Sequence, residues 1–152
     1  MINQQLIFYE NETLDEVIYF LSERMMRRVK EYSKAIFIAE GFDISIDQWV
    51  ILKRVAEEEG ISQIDLANAT YKDPASITRI LDILEKKGWA IRQPDENSRR
   101  AYKITLTTEG VALVKKMLPM VQAIRAKGLE NLTEMEIEQV KIVLKKIHAN
   151  FD

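Results

Sequence analysis

The sequence predicts a mainly α-helical fold in which six helices are interrupted by one short β-hairpin. Apolar residues recur at three- and four-residue spacing over most of the chain, which is the period of amphipathic helices. Alternation of apolar and polar residues, typical of a half-buried strand, is confined to the stretch from Trp89 to Leu106. With 152 residues, 47% of them hydrophobic and 30% charged, the chain is long enough to bury a core as one folded unit.

A long amphipathic helix is predicted from about Thr13 to Phe37. Its apolar positions fall on one stripe: Leu14, Val17, Ile18, Leu21, Met25, Val29, Tyr32 and Ile36.

Three shorter helices follow, and each begins with a side chain that can accept hydrogen bonds from the first free N–H groups of a helix. These caps are Ser45, Ser62 and Asp73. Gln48 completes a capping box with Ser45, and Pro74 occupies the first helical position after Asp73, where its missing N–H has no cost. Glycines at 60 and 88 come just after the first and third of these helices, where a left-handed residue is favoured.

The fourth helix, Pro74 to Lys87, has two distinct faces. Its buried stripe is Ile77, Ile80, Leu81 and Leu84, and its outer face is Ala75, Ser76, Thr78, Arg79 and Asp82. This outer face is small, polar and able to form hydrogen bonds.

A hairpin is predicted next, with strands at Trp89–Arg92 and Tyr102–Leu106 joined by a polar turn over residues 94–98. Its returning arm begins with Arg99 and Arg100, so the tip is cationic.

Two more helices complete the chain. The fifth runs from the cap at Thr107 to about Lys127, with an expected kink at Pro119 and an end at Gly128. The sixth starts at a capping box and an apolar staple within Leu132–Ile137, and its stripe is Ile137, Val140, Leu144, Ile147 and Phe151. His148, near its end, is favoured there by the helix dipole.

The composition of the chain argues against several classes of function. Cysteine is absent and there is a single histidine, so we expect no thiol chemistry, no metal site and no cofactor. The net charge is -2, but residues 72–103 contain eight basic and five acidic side chains, which makes this segment +3 and the remainder -5. The sequence start has no signal-peptide pattern and no apolar run could span a bilayer, so we expect a cytoplasmic protein without membrane contact.

The order of elements is typical of a winged helix-turn-helix over residues 45–106, a fold that binds duplex DNA. The third helix would support the fourth, the fourth would enter the major groove, and the hairpin would be the wing. The flanking regions, 1–40 and 107–152, carry apolar stripes that the small central core cannot cover, so we expect them to form a homodimer that matches a pseudo-palindromic operator. Candidate DNA-binding residues are Ser62, Gln63, Lys72, Asp73, Pro74, Ala75, Ser76, Thr78, Arg79, Asn97, Ser98, Arg99 and Arg100.

Nearly the whole chain resembles the MarR family of winged helix-turn-helix regulators, as a single unit over residues 1–152. The resemblance is carried by Gln48-Trp49-Val50-Ile51-Leu52, Ser62-Gln63-Ile64-Asp65-Leu66-Ala67, the run from Ser76 to Trp89, Arg92, the wing, and Leu106-Thr107-Thr108-Glu109-Gly110. It departs from the family in the wing, where Ser98-Arg99-Arg100 replaces the usual Asp-Arg pair. The resemblance implies a dimeric transcriptional regulator, often a repressor released by a small aromatic or anionic ligand.

If a ligand binds, Met25, Arg28, Tyr32 and Trp49 are the candidate lining residues, since they offer an aromatic and thioether wall with one cation. Core packing is the favoured interpretation of Met25, Met26, Tyr32 and Trp49. Two other functions stay open: a winged-helix module that binds protein, because fold does not dictate function, and a helical enzyme, for which the sequence has no nucleophile with a base and no glycine loop for phosphate.

Overall fold

The computed structural model describes residues 13–152, so the first twelve residues of the predicted 1–40 region lie outside it. Six α-helices and a three-stranded sheet make up the described part. The helices are α1 (Ile18–Ala39), α2 (Ile46–Glu57), α3 (Gln63–Thr70), α4 (Pro74–Lys86), α5 (Thr108–Gly128) and α6 (Glu134–Ala149). The strands are β1 (Ile61–Ser62), β2 (Ala90–Asp95) and β3 (Ser98–Leu106).

The predicted caps are present. The Ser45 side chain accepts from the Gln48 N–H at 3.1 Å while the Gln48 side chain accepts from the Ser45 N–H at 3.1 Å. Ser62 accepts from the Asp65 N–H at 3.0 Å, and Thr107 accepts from the Gly110 N–H at 2.9 Å. Capping acts over three residues, and this short range is why sequence alone located these helix starts.

Helix α1 and the hairpin have boundaries that differ from the prediction. Helix α1 begins at Ile18 instead of Thr13, after a short 3₁₀ turn at Leu14–Glu16 and an extended Val17. The hairpin strands extend almost to the tip, which leaves a two-residue turn at Glu96 and Asn97. Helix α5 continues through Pro119, and its expected kink stays a prediction.

Strand β1 was missed because it has only two residues. It pairs antiparallel with β3, Ile61 opposite Ile104, and β3 also pairs with β2 on its other side. Since β2 is an edge strand, Pro94 lies where a missing N–H is tolerated. The wing is thereby joined directly to the start of α3.

The core lies among α2, α3, α4, the sheet and α5. Its fully buried side chains include Ile51, Leu52, Leu66, Ile77, Leu81, Leu84, Ile104 and Met117. No helix within residues 13–152 has the length and apolar character needed to cross a bilayer.

Gly110 fixes where α5 meets the rest of the fold. A Cβ at this position would lie 2.0 Å from the backbone oxygen of Trp89, which already accepts from the Thr107 N–H at 3.1 Å. We expect Gly110→Ala to lower the free energy of unfolding by about 1 to 3 kcal/mol, because backbone must move to relieve the overlap.

Gly128→Ala is the matched control, since nothing lies within 4 Å of its added Cβ. It should be neutral or slightly stabilising because alanine favours helix. Urea unfolding of both variants at one protein concentration measures the difference. Equal midpoints would show that the α5 junction tolerates a side chain at Gly110.

Candidate nucleic-acid interface

Helices α3 and α4 are held together by side chains that face the same side of the molecule. The Gln63 side-chain amide donates to the Thr78 hydroxyl oxygen at 3.1 Å, and the Thr78 hydroxyl donates to the Pro74 carbonyl at 3.0 Å. Two predicted DNA-binding residues therefore contact each other in the free protein. Their bond links the two helices on the exposed side of the core that packs them.

The start of α4 is fixed by a second local pair. One carboxylate oxygen of Asp73 accepts from the Ser76 N–H at 2.9 Å and the other accepts from the Ser76 hydroxyl at 2.6 Å. These bonds, from the Ser76 hydroxyl and then its N–H, hold the pKa of Asp73 below its ordinary value. Asp73 is therefore ionised at neutral pH and engaged as a cap.

Helix α4 presents two exposed cations, Arg79 in its first half and Lys86 in its last turn. Arg79 is exposed, with a guanidinium nitrogen 3.4 Å from the Ser76 hydroxyl. Within residues 13–152 no carboxylate lies within ion-pair distance of it. A guanidinium on an exposed helix face can donate two hydrogen bonds to one acceptor pair, such as the edge of guanine.

The wing tip presents two further cations. Arg99 and Arg100 are exposed, and neither forms an ion pair in the part of the chain that the structure describes. The turn that carries them is closed by the Asn97 N–H, which donates to Asp95 at 2.8 Å. The tip therefore combines an ordered backbone with two exposed guanidinium groups.

A groove between α3, the start of α4 and the wing brings six of the predicted DNA-binding residues together. Its volume is about 390 Å³, and the six in its lining are Ser62, Gln63, Lys72, Pro74, Thr78 and Arg100. Seven of the thirteen predicted residues lie outside this lining, including the cations Arg79 and Arg99.

Three basic residues of the +3 segment are neutralised by carboxylates that the sequence analysis did not connect with them. Lys72 Nζ lies 2.8 Å from Asp47, Lys87 Nζ lies 3.0 Å from Asp43, and Arg92 pairs with both Glu85 and Asp82. The partners of Lys72 and Lys87 are 25 and 44 residues away in sequence, a separation that carries no local pattern. The cations left without an ion pair among residues 72–103 are Arg79, Lys86, Arg99, Arg100 and Lys103.

Arg92 attaches the wing to α4. Its backbone N–H and Nε donate to the two oxygens of Glu85 at 2.8 and 2.9 Å, and its guanidinium also contacts Asp82. Burial opposes ionisation of Glu85, but the bonds from Arg92 outweigh it and the pKa of Glu85 is lowered. Because Asp82 lies on the outer face of α4, this contact also orients the wing relative to that face.

Known proteins share the sequence pattern and the fold of this chain. The profile of the MarR family matches residues 44–102, the span from the start of α2 to the middle of β3. The Escherichia coli (strain K12) multiple antibiotic resistance protein MarR is 28% identical over 142 residues, which cover 93% of this chain and 94% of that protein. The Escherichia coli HTH-type transcriptional regulator PapX is 28% identical over 138 residues, covering 90% of this chain and 84% of PapX.

A crystal structure of mutant Escherichia coli MarR complexed with operator DNA superposes with a TM-score of 0.74 at 28% identity, covering 93% of this chain and 97% of that one. Residues 44–102 therefore match the MarR family, and nearly the whole chain is similar to MarR-type transcriptional regulators. The resemblance inferred from its motifs and the mainly α-helical winged helix-turn-helix fold are both confirmed.

Ser98 lies in the wing at the position where the resemblance drawn from the sequence implied an acidic residue. The Ser98 hydroxyl oxygen accepts from the Arg100 N–H at 3.4 Å, so it contacts the backbone and not an arginine side chain. Arg99 and Arg100 lie at the start of β3, and within the described residues neither guanidinium forms an ion pair.

The four candidate ligand residues do not come together in one protomer. Trp49 is 3% exposed and belongs to the core, as the core interpretation predicted. Met25, Arg28 and Tyr32 share one exposed face of α1. Core packing was the wrong interpretation for Met25, Met26 and Tyr32, which are 53%, 44% and 44% exposed, because their sides of α1 face away from the winged-helix core.

Tyr32 lines a groove that the sequence analysis missed. It lies between α1 and the second half of α5, has a volume of about 430 Å³, and also includes Ile36, Met120, Ile124 and Lys127. Lys127 Nζ is 3.0 Å from Glu130. These helices are far apart in sequence, so periodicity could not have paired them.

Proposed function

We propose that this protein is a MarR-family transcriptional regulator that binds a pseudo-palindromic duplex operator as a homodimer. The observation that carries this is the exposed set of arginines, Arg79 on α4 and Arg99 and Arg100 on the wing, on a fold whose relative was crystallised with operator DNA. Phosphates are met by such a local cationic surface even when the whole chain is acidic.

The predicted residues divide into three roles in this proposal. Arg79, with Ala75, Ser76 and Thr78 beside it on α4, enters the major groove and contacts bases. Arg99 and Arg100 follow the backbone or the adjacent minor groove, with Asn97 and Ser98 shaping the turn. Ser62, Gln63, Asp73 and Pro74 position the two helices. Lys72, paired with Asp47, belongs to this positioning group and not to the phosphate contacts.

The homodimer is supported by apolar side chains that the protomer leaves uncovered on α1 and α6. They include Ile18, Met25 and Met26 on α1 and Val140, Ile142, Val143 and Leu144 on α6, which are 42–54% exposed. A two-fold axis through these helices would cover them against their own copies and place two α4 helices about 34 Å apart, one turn of DNA.

Regulation by a small ligand is part of the proposal. The groove at Tyr32 offers an aromatic ring, a thioether and the ammonium of Lys127, which an aromatic anion would share with Glu130 at 3.0 Å. Such a ligand would relieve repression by favouring a protomer arrangement that does not fit the operator. A regulator of this kind acts where the chromosome is, so we infer a cytoplasmic location.

Selection of duplexes from a random pool with the purified full chain, followed by a salt titration, tests the proposal. We expect a two-fold symmetric motif and a fall of log affinity with log salt with a slope of about 0.9 per phosphate contact. A winged-helix module that binds protein predicts no enriched motif and only weak duplex binding. That result would overturn the proposed function.

A further inference from the structure

The turn between α3 and α4, residues 71–73, contacts α2 through Lys72 and α6 through Tyr71. Lys72 Nζ lies 2.8 Å from one carboxylate oxygen of Asp47 in the first turn of α2, and Lys30 Nζ of α1 lies 3.6 Å from the other. On the opposite side, the Tyr71 hydroxyl is 3.3 Å from His148 Nε2 of α6, with the two rings edge to face at 5.2 Å. Helices α2 and α6 therefore contact this turn directly, and α1 is linked to it through Asp47 of α2.

The pair of Lys72 and Asp47 is partly shielded from water. The Lys72 side chain is 21% exposed and that of Asp47 is 44% exposed. The hydrogen bond from Lys72 is the main reason that the pKa of Asp47 is lowered, and it outweighs partial burial. A lysine bound in this way has its charge turned toward α2, and it is poorly placed to neutralise a phosphate.

Lys72 is followed directly by Asp73, the cap of α4. The backbone at Lys72 therefore determines where the first turn of α4 starts, and Tyr71 before it is in the left-handed region at φ 53. A non-glycine residue in that region persists only when its surroundings hold it there. The contacts of Lys72 and Tyr71 are the side-chain contacts that hold this turn to α2 and α6.

We propose that Asp47 is a positioning residue for DNA recognition, which holds the start of α4 in register with α1 and α2 through Lys72 and Lys30. The proposal rests on the proposed DNA-binding function. Base contacts require placement within a few tenths of an ångström, whereas phosphate contacts tolerate more movement. Loss of the Asp47 carboxylate should therefore reduce preference for the operator more than general attraction to DNA.

Asp47→Asn tests this role because a pure charge effect and a mispositioned α4 predict opposite changes in affinity for the operator. Removal of a negative charge by itself strengthens binding to any duplex. Mispositioning of α4 instead weakens operator binding, by roughly three- to tenfold, with little change on a scrambled duplex. The control is Glu96→Gln, which makes the same charge change at the exposed tip of the wing and should tighten binding to both duplexes.

A double-mutant cycle tests whether Asp47 acts through Lys72. Lys72→Gln should weaken operator binding as Asp47→Asn does, without lowering the salt slope, because Lys72 does not contact phosphate. Asp47→Asn should then cause little further loss in the Lys72→Gln background.

Three results would overturn the inference. One is Asp47→Asn tightening both duplexes as Glu96→Gln does. Another is an equal loss on operator and scrambled duplex together with reduced thermal stability, which indicates a merely structural role. The third is a lowered salt slope for Lys72→Gln. Failure of the proposed DNA-binding function would look different. In that case the unsubstituted chain would itself show no preference between the operator and the scrambled duplex.

Discussion

Replacing Leu144 with lysine should convert the dimer to monomers at micromolar concentration and remove tight operator binding. Leu144 is 49% exposed on α6, in line with Val140 at 54%, so its side chain is available to a partner. In a two-fold interface each substitution occurs twice and places two like charges in one apolar seam. We expect a loss of at least about 3 kcal/mol in dimerisation, which is more than a hundredfold in Kd.

Glu138→Gln is the matched control for this variant. It raises the net charge by one, as Leu144→Lys does, but lies about 120° around the helix axis from Leu144, and its carboxylate pairs with Lys141 at the surface. Such exposed pairs contribute little to stability. The added positive charge should favour DNA binding in both proteins, so a loss confined to Leu144→Lys must come from the dimer.

Sedimentation velocity over a concentration series, followed by titration with the selected operator and with a single half-site, separates the two effects. Leu144→Lys should sediment as a monomer and bind both duplexes with similar weak affinity. A variant that remains dimeric would show that α6 does not form the seam.

The structure shows which inferences sequence alone can support. Helix starts at Ser45, Ser62 and Thr133 were predictable because the capping side chain and the backbone N–H that donates to it are three residues apart and need no tertiary contact. The buried face of α4 was predictable for the same reason, since Ile77, Leu81 and Leu84 repeat at the helical period.

Contacts between distant segments were not predictable. Nothing in the sequence indicates that Asp47 forms an ion pair with Lys72, or that Glu85 forms one with Arg92. Both carboxylates lie on helices whose packing is decided by the core. The segment charge of +3 was therefore a poor measure of the free cationic surface. Likewise, periodicity identified the face of α1 that holds Met25 and Tyr32 but not what covers it.

Arg79→Ala should weaken operator binding by about 1 to 3 kcal/mol per half-site and relax base preference mainly at one position in each. The reason is geometric: Arg79 is exposed on the face of α4 that would enter the major groove, next to Ser76, and within residues 13–152 no carboxylate competes for it. Binding to a scrambled duplex should change much less, because that duplex offers no matched base edge.

Arg99→Ala and Arg100→Ala should have a different signature. Both side chains lie at the exposed wing tip, where cations respond to the potential of the groove and the phosphates more than to base identity. Each substitution should weaken operator and scrambled duplex alike. It should also lower the slope of log affinity against log salt, by roughly one for every phosphate that each subunit no longer neutralises.

Salt titrations of the three variants against both duplexes test these assignments together. Arg79→Lys is the control that keeps the charge and removes the paired donors of the guanidinium. It should retain the salt slope and still lose base preference, because a single ammonium cannot bridge two acceptors on one base. If Arg79→Ala weakens both duplexes equally while the wing variants alter only base preference, then the hairpin reads the bases and α4 contacts the backbone, the reverse of the arrangement proposed for this protein.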